Sequence, residues 1–425
     1  MRIVVWGTGL TGLEAAQEMI RQGHEVRLVD ERPPQVRTDL PVSVPTEEDM
    51  RWADLVIPSP GIPRFHPLLG LTGKVLSEIE VASSLLTGTL IAVTGTNGKT
   101  TTTTLIHQIL TRAGLDAGVG GNIAPPLISL VRRNPRYVVA EISSFQLEWI
   151  ERFRPHIGVC LNITPDHLDR YRDMEEYVFY KKILFKNQLE SDIAVLNDDD
   201  PGLKIIDGRA RRTGFSFSRP SSPDGAYIEG RRICFQGSIE GKGPMLPKGR
   251  PLGNGLKEDM LASALVARLL GVDSDVAQEV FAGFTGIRHR FEHVAKINGV
   301  SFVDDSKATN VGALETALAG MGSPVILILG GKDKGGDFSH IAQRFKDRIR
   351  MVIVIGEASG RIMREVSGIV DTEAAPDMQQ AVRTAFSRAV SGDTVLLSPG
   401  CASFDMFRSY AHRGDVFREC VYSIR

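Results

Sequence analysis

Short runs of β-branched and aliphatic residues recur along the whole chain, and most are followed by a longer stretch of helical period. This alternation predicts parallel sheets whose strands are joined by helices, which is the α/β class. The runs number eleven, more than one ordinary sheet holds. They are residues 2–6, 25–29, 54–57, 90–93, 137–142, 157–163, 193–196, 300–303, 325–329, 351–355 and 394–397.

The length of 425 residues corresponds to about three domains. Breaks at the Leu86-Thr-Gly-Thr89 turn and near Gly283 to Ile287 predict domains over residues 1–89, 90–286 and 287–425. Residues 213–255 are punctuated by Gly, Pro and Ser and predict a small antiparallel insertion in the central domain.

Charge and cysteine content exclude several classes of protein. The 50 Lys and Arg residues balance 51 Asp and Glu, and no long basic stretch suggests a nucleic-acid partner. The apolar runs are far shorter than the roughly 20 residues that span a bilayer. A strand begins directly after Met1, so we expect no secretory leader, and the four scattered cysteines predict neither a zinc site nor disulfides. The expected location is the cytoplasm.

A glycine-rich turn, Gly7-Thr-Gly-Leu-Thr-Gly12, follows the first predicted strand, and Asp30 closes the second. This spacing is typical of dinucleotide-binding turns, in which backbone amides at a helix N-terminus hold a diphosphate. Any diphosphate ligand fits the pattern, and a tight turn without a ligand is the alternative. The Ser59-Pro-Gly61 turn after the third strand is expected to face the same crevice.

The strongest local motif is Gly95-Thr-Asn-Gly-Lys-Thr100, between a predicted strand and a helix. Its glycines allow backbone amides to surround phosphate oxygens, Lys99 can bind the terminal phosphates, and the Thr100 hydroxyl can bind Mg²⁺. Only two residues separate the glycines, so the motif is a shortened phosphate loop. It predicts ATP as the ligand.

Glu141 and His167 also follow predicted strands. Glu141 could bind Mg²⁺ or could simply start a helix near Ser143, and spacing alone does not separate the two. With the phosphate loop, Glu141 and His167 all at strand ends, a two-metal nucleotide site is the better explanation.

Three polar loops follow predicted strands in the last third of the chain, at residues 304–310, 330–336 and 398–403. Lys307, Thr309 and Lys334 could hold a small anionic substrate there, and ordinary solvated loops are the alternative. Convergence of three such loops at one sheet edge favours a binding site.

The chain resembles the Mur ligases of bacterial peptidoglycan synthesis almost from end to end. The residues that carry the resemblance are Gly9–Gly12, Ser59–Gly61, Gly95–Thr100, Gly120–Asn122, Glu141–Glu148, Asp166–Arg170, His289-Arg290, Asp305–Asn310 and Ser398–Asp405. The resemblance implies a Rossmann-like N-terminal domain for a UDP-sugar, a central ATPase-like domain and a Rossmann-like C-terminal domain for an amino acid. It replaces the dinucleotide interpretation with a diphosphate one.

The resemblance also implies roles for individual residues. ATP is expected at Gly95, Thr96, Asn97, Gly98, Lys99, Thr100, Thr101, Arg290 and Asp305, and two Mg²⁺ ions at Thr100, Glu141, His167 and Lys181. The UDP-sugar is expected at Leu10, Thr11, Asp30, Arg32, Ser59, Gly61, Asn122 and His167. D-glutamate is expected at Thr309, Lys334, Ser403, Phe404 and Tyr410. Lys99, His167 and Lys181 are the implied catalytic residues.

A carbamylated lysine is a further implication, because an ammonium would repel Mg²⁺ whereas a carbamate offers anionic oxygens. Lys181 has the matching position in Tyr177-Val-Phe-Tyr-Lys181, and Lys182 is the alternative. One departure from the family is Leu256, where an asparagine that contacts adenine is usual. Asn254 or Lys257 could substitute, or packing and backbone could hold the base.

The implied reaction is ATP-dependent addition of D-glutamate to UDP-N-acetylmuramoyl-L-alanine through an acyl phosphate, by a monomer that binds only small molecules. A nicotinamide-dependent dehydrogenase is the rival suggested by Gly7 to Gly12 and Asp30, and it leaves Lys99, Glu141 and His167 unexplained. Two further rivals are a non-catalytic ATP-regulated binding protein and a related ligase that adds another amino acid.

Overall fold

The structure is a computed structural model that describes residues 1–31, 38–166, 170–248, 252–322, 324–332 and 335–424. It divides into two compact units, Met1–Leu246 with Glu258–Ala282, and Pro247–Lys257 with Gly283–Arg425. Among the described helices, none is both long enough and apolar enough to span a membrane. The predicted α/β class is confirmed, whereas the three domain boundaries stay a prediction.

The first unit begins with a parallel sheet of strand order β3-β2-β1-β4. Its strands are β1 Arg2–Trp6, β2 Glu25–Val29, β3 Val42–Ser43 and β4 Leu55–Pro58. The carboxyl ends of β1 and β4 are adjacent, so the Gly7 and Ser59 turns predicted from the sequence meet at one edge.

The second sheet of this unit has the order β13-β12-β11-β10-β9-β8-β5-β7-β6. Its strands are β5 Thr89–Thr94, β6 Ala117–Gly121, β7 Tyr137–Glu141, β8 Ile157–Cys160, β9 Ile193–Asn197, β10 Arg211–Ser216, β11 Asp224–Glu229, β12 Arg232–Gln236 and β13 Gly241–Met245. Strand β5 lies between β7 and β8, and all three are parallel. The residues that follow these strands therefore meet at one sheet edge.

The insertion predicted over residues 213–255 is antiparallel only in part. Strands β11, β12 and β13 pair antiparallel, as expected. Strand β10, however, starts earlier and pairs parallel with both β9 and β11. Because β9 leaves one edge open for hydrogen bonding, the segment extends the second sheet instead of forming a separate body.

The second unit contains a sheet of order β14-β15-β19-β16-β17-β18, parallel except for β14. Its strands are β14 Glu292–Ile297, β15 Val300–Asp304, β16 Val325–Gly330, β17 Ile349–Ile355, β18 Thr372–Ala374 and β19 Thr394–Leu397. Alternate residues of β16 enter different cores, with Leu327 and Leu329 on one face and Ile326 and Ile328 on the other. Burial of both faces explains the continuous apolar runs in the sequence.

The α-helices are α1 Leu10–Arg21, α2 Glu47–Trp52, α3 Glu78–Leu85, α4 Lys99–Arg112, α5 Met174–Lys182, α6 Asn254–Leu269, α7 Ser274–Gly283, α8 Val311–Ala319, α9 Phe338–Phe345, α10 Ser359–Val366, α11 Met378–Arg388 and α12 Tyr410–Tyr422. Short 3₁₀ helices span Pro67–Leu71, Leu127–Leu130, Gln146–Trp149, Ile183–Phe185, Pro201–Leu203 and Gly237–Ile239. Polar side chains at Thr46, Asp173, Asn310, Asp337, Asp377 and Ser409 cap the α-helices that follow them.

Two carboxylates of α3 accept hydrogen bonds from loops of the second sheet. Glu80 accepts bonds from the backbone amides of residues 151–153 at 3.0, 2.9 and 2.8 Å. Glu78 accepts one from the amide of Ile128 at 2.6 Å, and burial raises the pKa of Glu78 to about 7. These bonds attach α3 to the second sheet through two buried carboxyl groups.

The backbone just before α3 changes partner within one residue. The Leu76 amide donates to the Val56 carbonyl in β4 of the first sheet. The next amide, that of Ser77, donates to the carbonyl of Trp149, which ends a 3₁₀ helix beside the second sheet. The chain therefore passes from one sheet to the other between Leu76 and Ser77.

We expect Glu80→Ala to lower the free energy of unfolding by about 2 to 4 kcal/mol, because three backbone amides, one of them buried, lose their acceptor. Urea unfolding followed by tryptophan fluorescence and circular dichroism would measure the change. The exposed Glu190 provides the control, and Glu190→Ala should leave the transition unchanged. Equal stability of the two variants would contradict the role given to Glu80.

Candidate active site

The phosphate loop lies between β5 and α4, as predicted. Gly95 has a φ of 150° and Gly98, which precedes α4, has a φ of 84°, both in the region that favours glycine. A Cβ atom at Gly98 would lie 2.2 Å from Oδ1 of Asp259. Since Gly98 has no side chain to cap α4, the helix begins with backbone amides suited to an anion.

Residues after β8 fix the shape of this loop. The Thr96 amide donates to the Asn162 carbonyl at 2.9 Å, and the Asn97 amide donates to Oδ1 of Asn162 at 2.8 Å. The Thr96 hydroxyl accepts from the Thr164 amide at 3.0 Å and lies 3.0 Å from the Tyr177 hydroxyl. The loop conformation is therefore set by the neighbouring strand end and by α5.

Two lysines donate to one carbonyl oxygen of the phosphate loop. Nζ of Lys99 lies 2.8 Å from the Gly95 oxygen and 2.7 Å from that of Thr96. Nζ of Lys181, from α5, lies 2.8 Å from the same Gly95 oxygen. Burial lowers the pKa of Lys181 to about 7, and the positive charge of Lys99 adds to the effect.

Lys181 and Lys182, the two candidates for the modified lysine, have different environments. Lys181 is 1% exposed, and its ammonium nitrogen lies over the Tyr177 ring at 4.6 Å from the centroid. The Lys182 side chain is 38% exposed and pairs with Asp207 at 2.5 Å. Lys181 is therefore the member of the pair that contacts the phosphate loop.

Glu141 ends β7 next to the phosphate loop. Its side chain is buried, and Oε1 accepts a hydrogen bond from Nδ2 of Asn122 at 2.8 Å. The Asn122 amide also donates to the Glu141 carbonyl at 2.8 Å. The two predicted residues are therefore brought together. Thr100 lies in the first turn of α4, the helix that follows β5, and β5 is the strand that pairs with β7.

Sequence reasoning missed the role of Asp259 beside the phosphate loop. This buried carboxylate accepts a hydrogen bond from the Thr102 hydroxyl of α4 at 3.0 Å. The adjacent Glu258 has its pKa raised to about 8, first by burial and then by Asp259 and Asp199. Leu256 lies in the same helix, α6, but no sequence pattern predicts that Asp259 lies beside Gly98. His167 lies outside the described residues.

The glycine turn after β1 has the close approaches expected of a diphosphate-binding turn. A Cβ at Gly12 would lie 1.9 Å from the Gly7 carbonyl oxygen, and one at Gly7 would lie 2.7 Å from Cβ of Ser59. Oδ2 of Asp30 accepts from the amide and the hydroxyl of Thr8, each at 2.7 Å. Asp30 therefore stabilises the turn itself.

The other residues of the first sheet that are predicted to bind the UDP-sugar either lie near this turn or fall outside the described residues. Leu10 and Thr11 start α1, and Leu10 is exposed. Gly61 follows Ser59 after β4 and is also exposed. Arg32 lies outside the described residues.

In the second unit, Asp305 follows β15 and contacts two other segments. Its Oδ2 accepts from the Ser398 hydroxyl at 2.8 Å, and Oδ1 accepts from the Phe291 amide at 3.2 Å. Burial raises the pKa of Asp305 to about 7, and the charge of Arg290 partly opposes this shift. The predicted residues Arg290 and Asp305 therefore interact electrostatically.

The three polar loops predicted to converge in this unit are joined by backbone hydrogen bonds. The Gly400 amide donates to the Ala308 carbonyl at 2.9 Å, and Lys332 and Ala402 exchange bonds at 2.8 and 3.1 Å. Thr309 lies in the first loop and Ser403 is buried in the third.

The other residues predicted to bind D-glutamate differ in environment. Phe404 is 71% exposed, and the Tyr410 hydroxyl accepts a hydrogen bond from Nζ of Lys307 at 3.2 Å. Lys334 lies outside the described residues.

A buried arginine that the sequence did not single out connects these loops. Arg413 of α12 is fully buried, and its guanidinium donates to the carbonyls of Ser306, Cys401 and Ala402 at 2.8, 3.1 and 3.2 Å. Burial lowers the pKa of Arg413 to about 10. An arginine in an ordinary helical pattern gives no signal of this role.

Comparison with known proteins agrees with these features. A family model described as "Mur ligase middle domain" matches residues 93–235, and one described as "Mur ligase, glutamate ligase domain" matches residues 289–401. A protein from Geobacter metallireducens, named UDP-N-acetylmuramoylalanine--D-glutamate ligase, is 41% identical over 99% of this chain and 97% of its own length.

Solved structures share the fold at lower identity. A pseudomurein peptide ligase type C from Methanothermus fervidus has a TM-score of 0.64 at 21% identity and covers 100% of both chains. The MurF ligase from Thermotoga maritima in complex with ADP has a TM-score of 0.62 at 18% identity, covering 96% of this chain and 92% of its own. With both domain models matched and a relative of this identity along nearly its whole length, the chain belongs to the Mur ligase family.

Proposed function

We propose that this protein is an ATP-dependent ligase that joins D-glutamate to UDP-N-acetylmuramoyl-L-alanine in peptidoglycan synthesis. The observation that carries the proposal is the phosphate loop, in which Lys99 and the buried Lys181 share the Gly95 carbonyl. The names of relatives about 40% identical over the full length support the choice of substrates.

The proposed chemistry has two transfers. A carboxylate oxygen of the muramoyl-alanine attacks the γ-phosphorus of ATP, and the bond to the ADP oxygen breaks. The D-glutamate amine then attacks the acyl carbon, the bond to phosphate breaks and the nitrogen loses a proton, which gives an amide, ADP and phosphate. Lys99 would stabilise the charge on the transferred phosphoryl oxygens, and amides at the start of α4 would bind the β-phosphate.

Magnesium fits the oxygen donors of the first unit. The Thr100 hydroxyl and the buried Glu141 carboxylate, held by Asn122, are the groups that would hold one ion. When bound, the metal would neutralise phosphate charge as a Lewis acid. We assign the second ion to His167 and to a carbamate on Lys181.

The carbamate proposal for Lys181 rests on burial. A neutral amine is required for attack on CO₂, and the lowered pKa leaves a large neutral fraction near pH 7. Nitrogen would bond to the carbon of CO₂ and lose one proton, giving an anionic group in place of a cation. The exposed Lys182 remains paired with Asp207 and is the matched comparison.

We assign the UDP-sugar to the glycine turn of the first sheet and to Asn122, and D-glutamate to Thr309, Lys334, Ser403, Phe404 and Tyr410. Arg290 and Asp305 are proposed nucleotide contacts. The reaction is proposed to take place in the bacterial cytoplasm, with a monomer as the active form. Leu256 stands where the family usually has the asparagine that contacts adenine. We therefore assign this contact to Asn254, to Lys257 or to the backbone.

The rival dehydrogenase is disfavoured because it leaves the phosphate loop unexplained and because both matched family models describe Mur ligase domains. A coupled assay of ADP release with D-glutamate, L-alanine, L-lysine and diaminopimelate separates the proposed ligase from a related ligase and from a binding protein. ADP release that occurs with D-glutamate and with none of the other three amino acids supports the proposal. ADP release with another amino acid indicates a related ligase, and no ADP release with any of them indicates a binding protein.

We expect Lys99→Ala to lower ATP-dependent ligation by roughly 100-fold or more, because a charge that stabilises the phosphoryl group is removed. ADP release and the circular dichroism spectrum would be measured together. Arg112→Ala, at the exposed end of the same helix, is the control and should remain active. Near-normal turnover of Lys99→Ala would refute the phosphate-loop assignment.

For Lys181, we expect substitution by Ala to abolish activity and acetate to restore part of it, because the acid supplies the missing carboxylate oxygens. Lys182→Ala should need no rescue. In ¹³C-bicarbonate buffer, a carbamate resonance should be present in wild type and should weaken as the pH falls below about 7, where the amine becomes protonated. Full activity of Lys181→Ala, or rescue at Lys182 alone, would contradict the carbamate proposal.

For Lys334, substitution by Ala should raise KM for D-glutamate by roughly 10-fold or more, because a charge-assisted bond to the side-chain carboxylate is lost. KM for the UDP-sugar should change little. The exposed neighbour Lys332 provides the matched control Lys332→Ala. Equal effects on both substrates would argue against this placement.

A further inference from the structure

A buried ion pair in the first unit lies outside the roles assigned above. Glu148 has a fully buried side chain, and its two carboxylate oxygens bind Arg170 through Nε at 3.0 Å and Nη2 at 2.6 Å. The Tyr171 hydroxyl donates to the same carboxylate at 3.1 Å. A fork-to-fork pair of this kind fixes the orientation of the guanidinium.

The same guanidinium reaches a loop of the first sheet. Nη2 of Arg170 donates to the carbonyl oxygen of Ile62 at 3.0 Å. Ile62 directly follows Gly61 in the turn proposed for the UDP-sugar, and its own amide donates to the Ser59 carbonyl at 2.9 Å. Arg170 therefore connects the Ser59 turn with Glu148, which follows β7 and Glu141.

On the other side, the contacts continue to the phosphate loop. The ring of Tyr171 lies 5.6 Å from that of Tyr177, and the Tyr177 hydroxyl lies 3.0 Å from that of Thr96. The guanidinium of Arg170 also lies 4.5 Å from the centroid of the Phe145 ring.

We propose that Arg170 is a positioning residue that aligns the UDP-sugar loop with the phosphoryl-transfer site. Its guanidinium holds the Ile62 carbonyl and the Glu148 carboxylate at once, so the Ser59 turn and the segments after β7 and β8 keep one relative arrangement. The inference rests on the proposed function, since it assumes that the UDP-sugar binds at the Ser59 turn.

Lysine cannot replace this arginine fully. An ammonium can donate to several oxygens, but it lacks the planar two-nitrogen fork with which Arg170 holds both Glu148 oxygens and the Ile62 carbonyl in fixed geometry. Arg170→Lys keeps the positive charge but loses the forked contact, so we expect it to lose only part of the enzyme's activity. This difference separates positioning from simple neutralisation of Glu148.

The test is steady-state kinetics of Arg170→Lys and Arg170→Met with each of the three substrates varied in turn. We expect Arg170→Met to raise KM for UDP-N-acetylmuramoyl-L-alanine by roughly 10-fold or more and to lower kcat, while KM for D-glutamate changes less than about twofold. Arg170→Lys should lie between wild type and Arg170→Met. Arg172→Met, two residues away with a 78% exposed side chain, is the control and should match wild type.

Removal of Arg170 leaves Glu148 buried without its cation, so the double variant Glu148→Gln, Arg170→Met keeps the test valid if the single variant does not fold. A folded double variant with a selective rise in KM for the UDP-sugar supports the proposal. Equal KM changes for all substrates, or none, overturn it. Calorimetric titration of wild type with the UDP-sugar alone tests the proposed function separately. Absence of binding there would refute the proposed function and remove the premise of the Arg170 role, whereas binding by wild type with no selective KM change in the Arg170 variants would overturn the Arg170 role alone.

Discussion

The carbonyl oxygen of Gly95 is the contact on which the arrangement of the first unit depends. It accepts hydrogen bonds from both Lys99 and Lys181 at the start of the phosphate loop, where Gly95 has a φ of 150°. Burial of Lys181 disfavours its charged form, and repulsion from the Lys99 ammonium at the same acceptor adds to this, which is why the pKa of Lys181 falls to about 7. The phosphate loop therefore also favours the neutral amine form of Lys181.

Strands and strand-end motifs could be predicted from the sequence because both leave local signals. The eleven apolar runs all correspond to strands, and Gly95–Thr100 and Glu141 lie where the motif and the spacing indicate. Strands β3, β6, β14 and β18 were missed, and β6 shows one reason, since Ala117-Gly-Val-Gly-Gly121 has little β-branched character. Its glycines are explained by close packing, because a Cβ at Gly120 would lie 2.7 Å from the Pro125 carbonyl.

The remaining site residues depend on long-range contacts that no local pattern contains. Asp259 reaches Gly98 and Thr102 from a helix more than a hundred residues away in sequence, and Arg413 binds carbonyls from separate loops. Carbonyl acceptors are present in every residue, so an arginine that binds them has no distinctive partner in the sequence. The Glu148 and Arg170 pair has charge complementarity, but only the pairing of β5 with both β7 and β8 brings the two together.

The change of partner between Leu76 and Ser77 has a mechanical consequence. The backbone up to Leu76 is bonded to β4, and from Ser77 onward α3 is bonded through Glu78 and Glu80 to the second sheet. A rotation of one sheet against the other would therefore concentrate its torsional change in ψ of Leu76 and φ of Ser77, the soft dihedrals on either side of the planar peptide that joins these residues. With so short a covalent tether, the sheets could pivot but could hardly separate, and the axis of the pivot would pass close to that peptide.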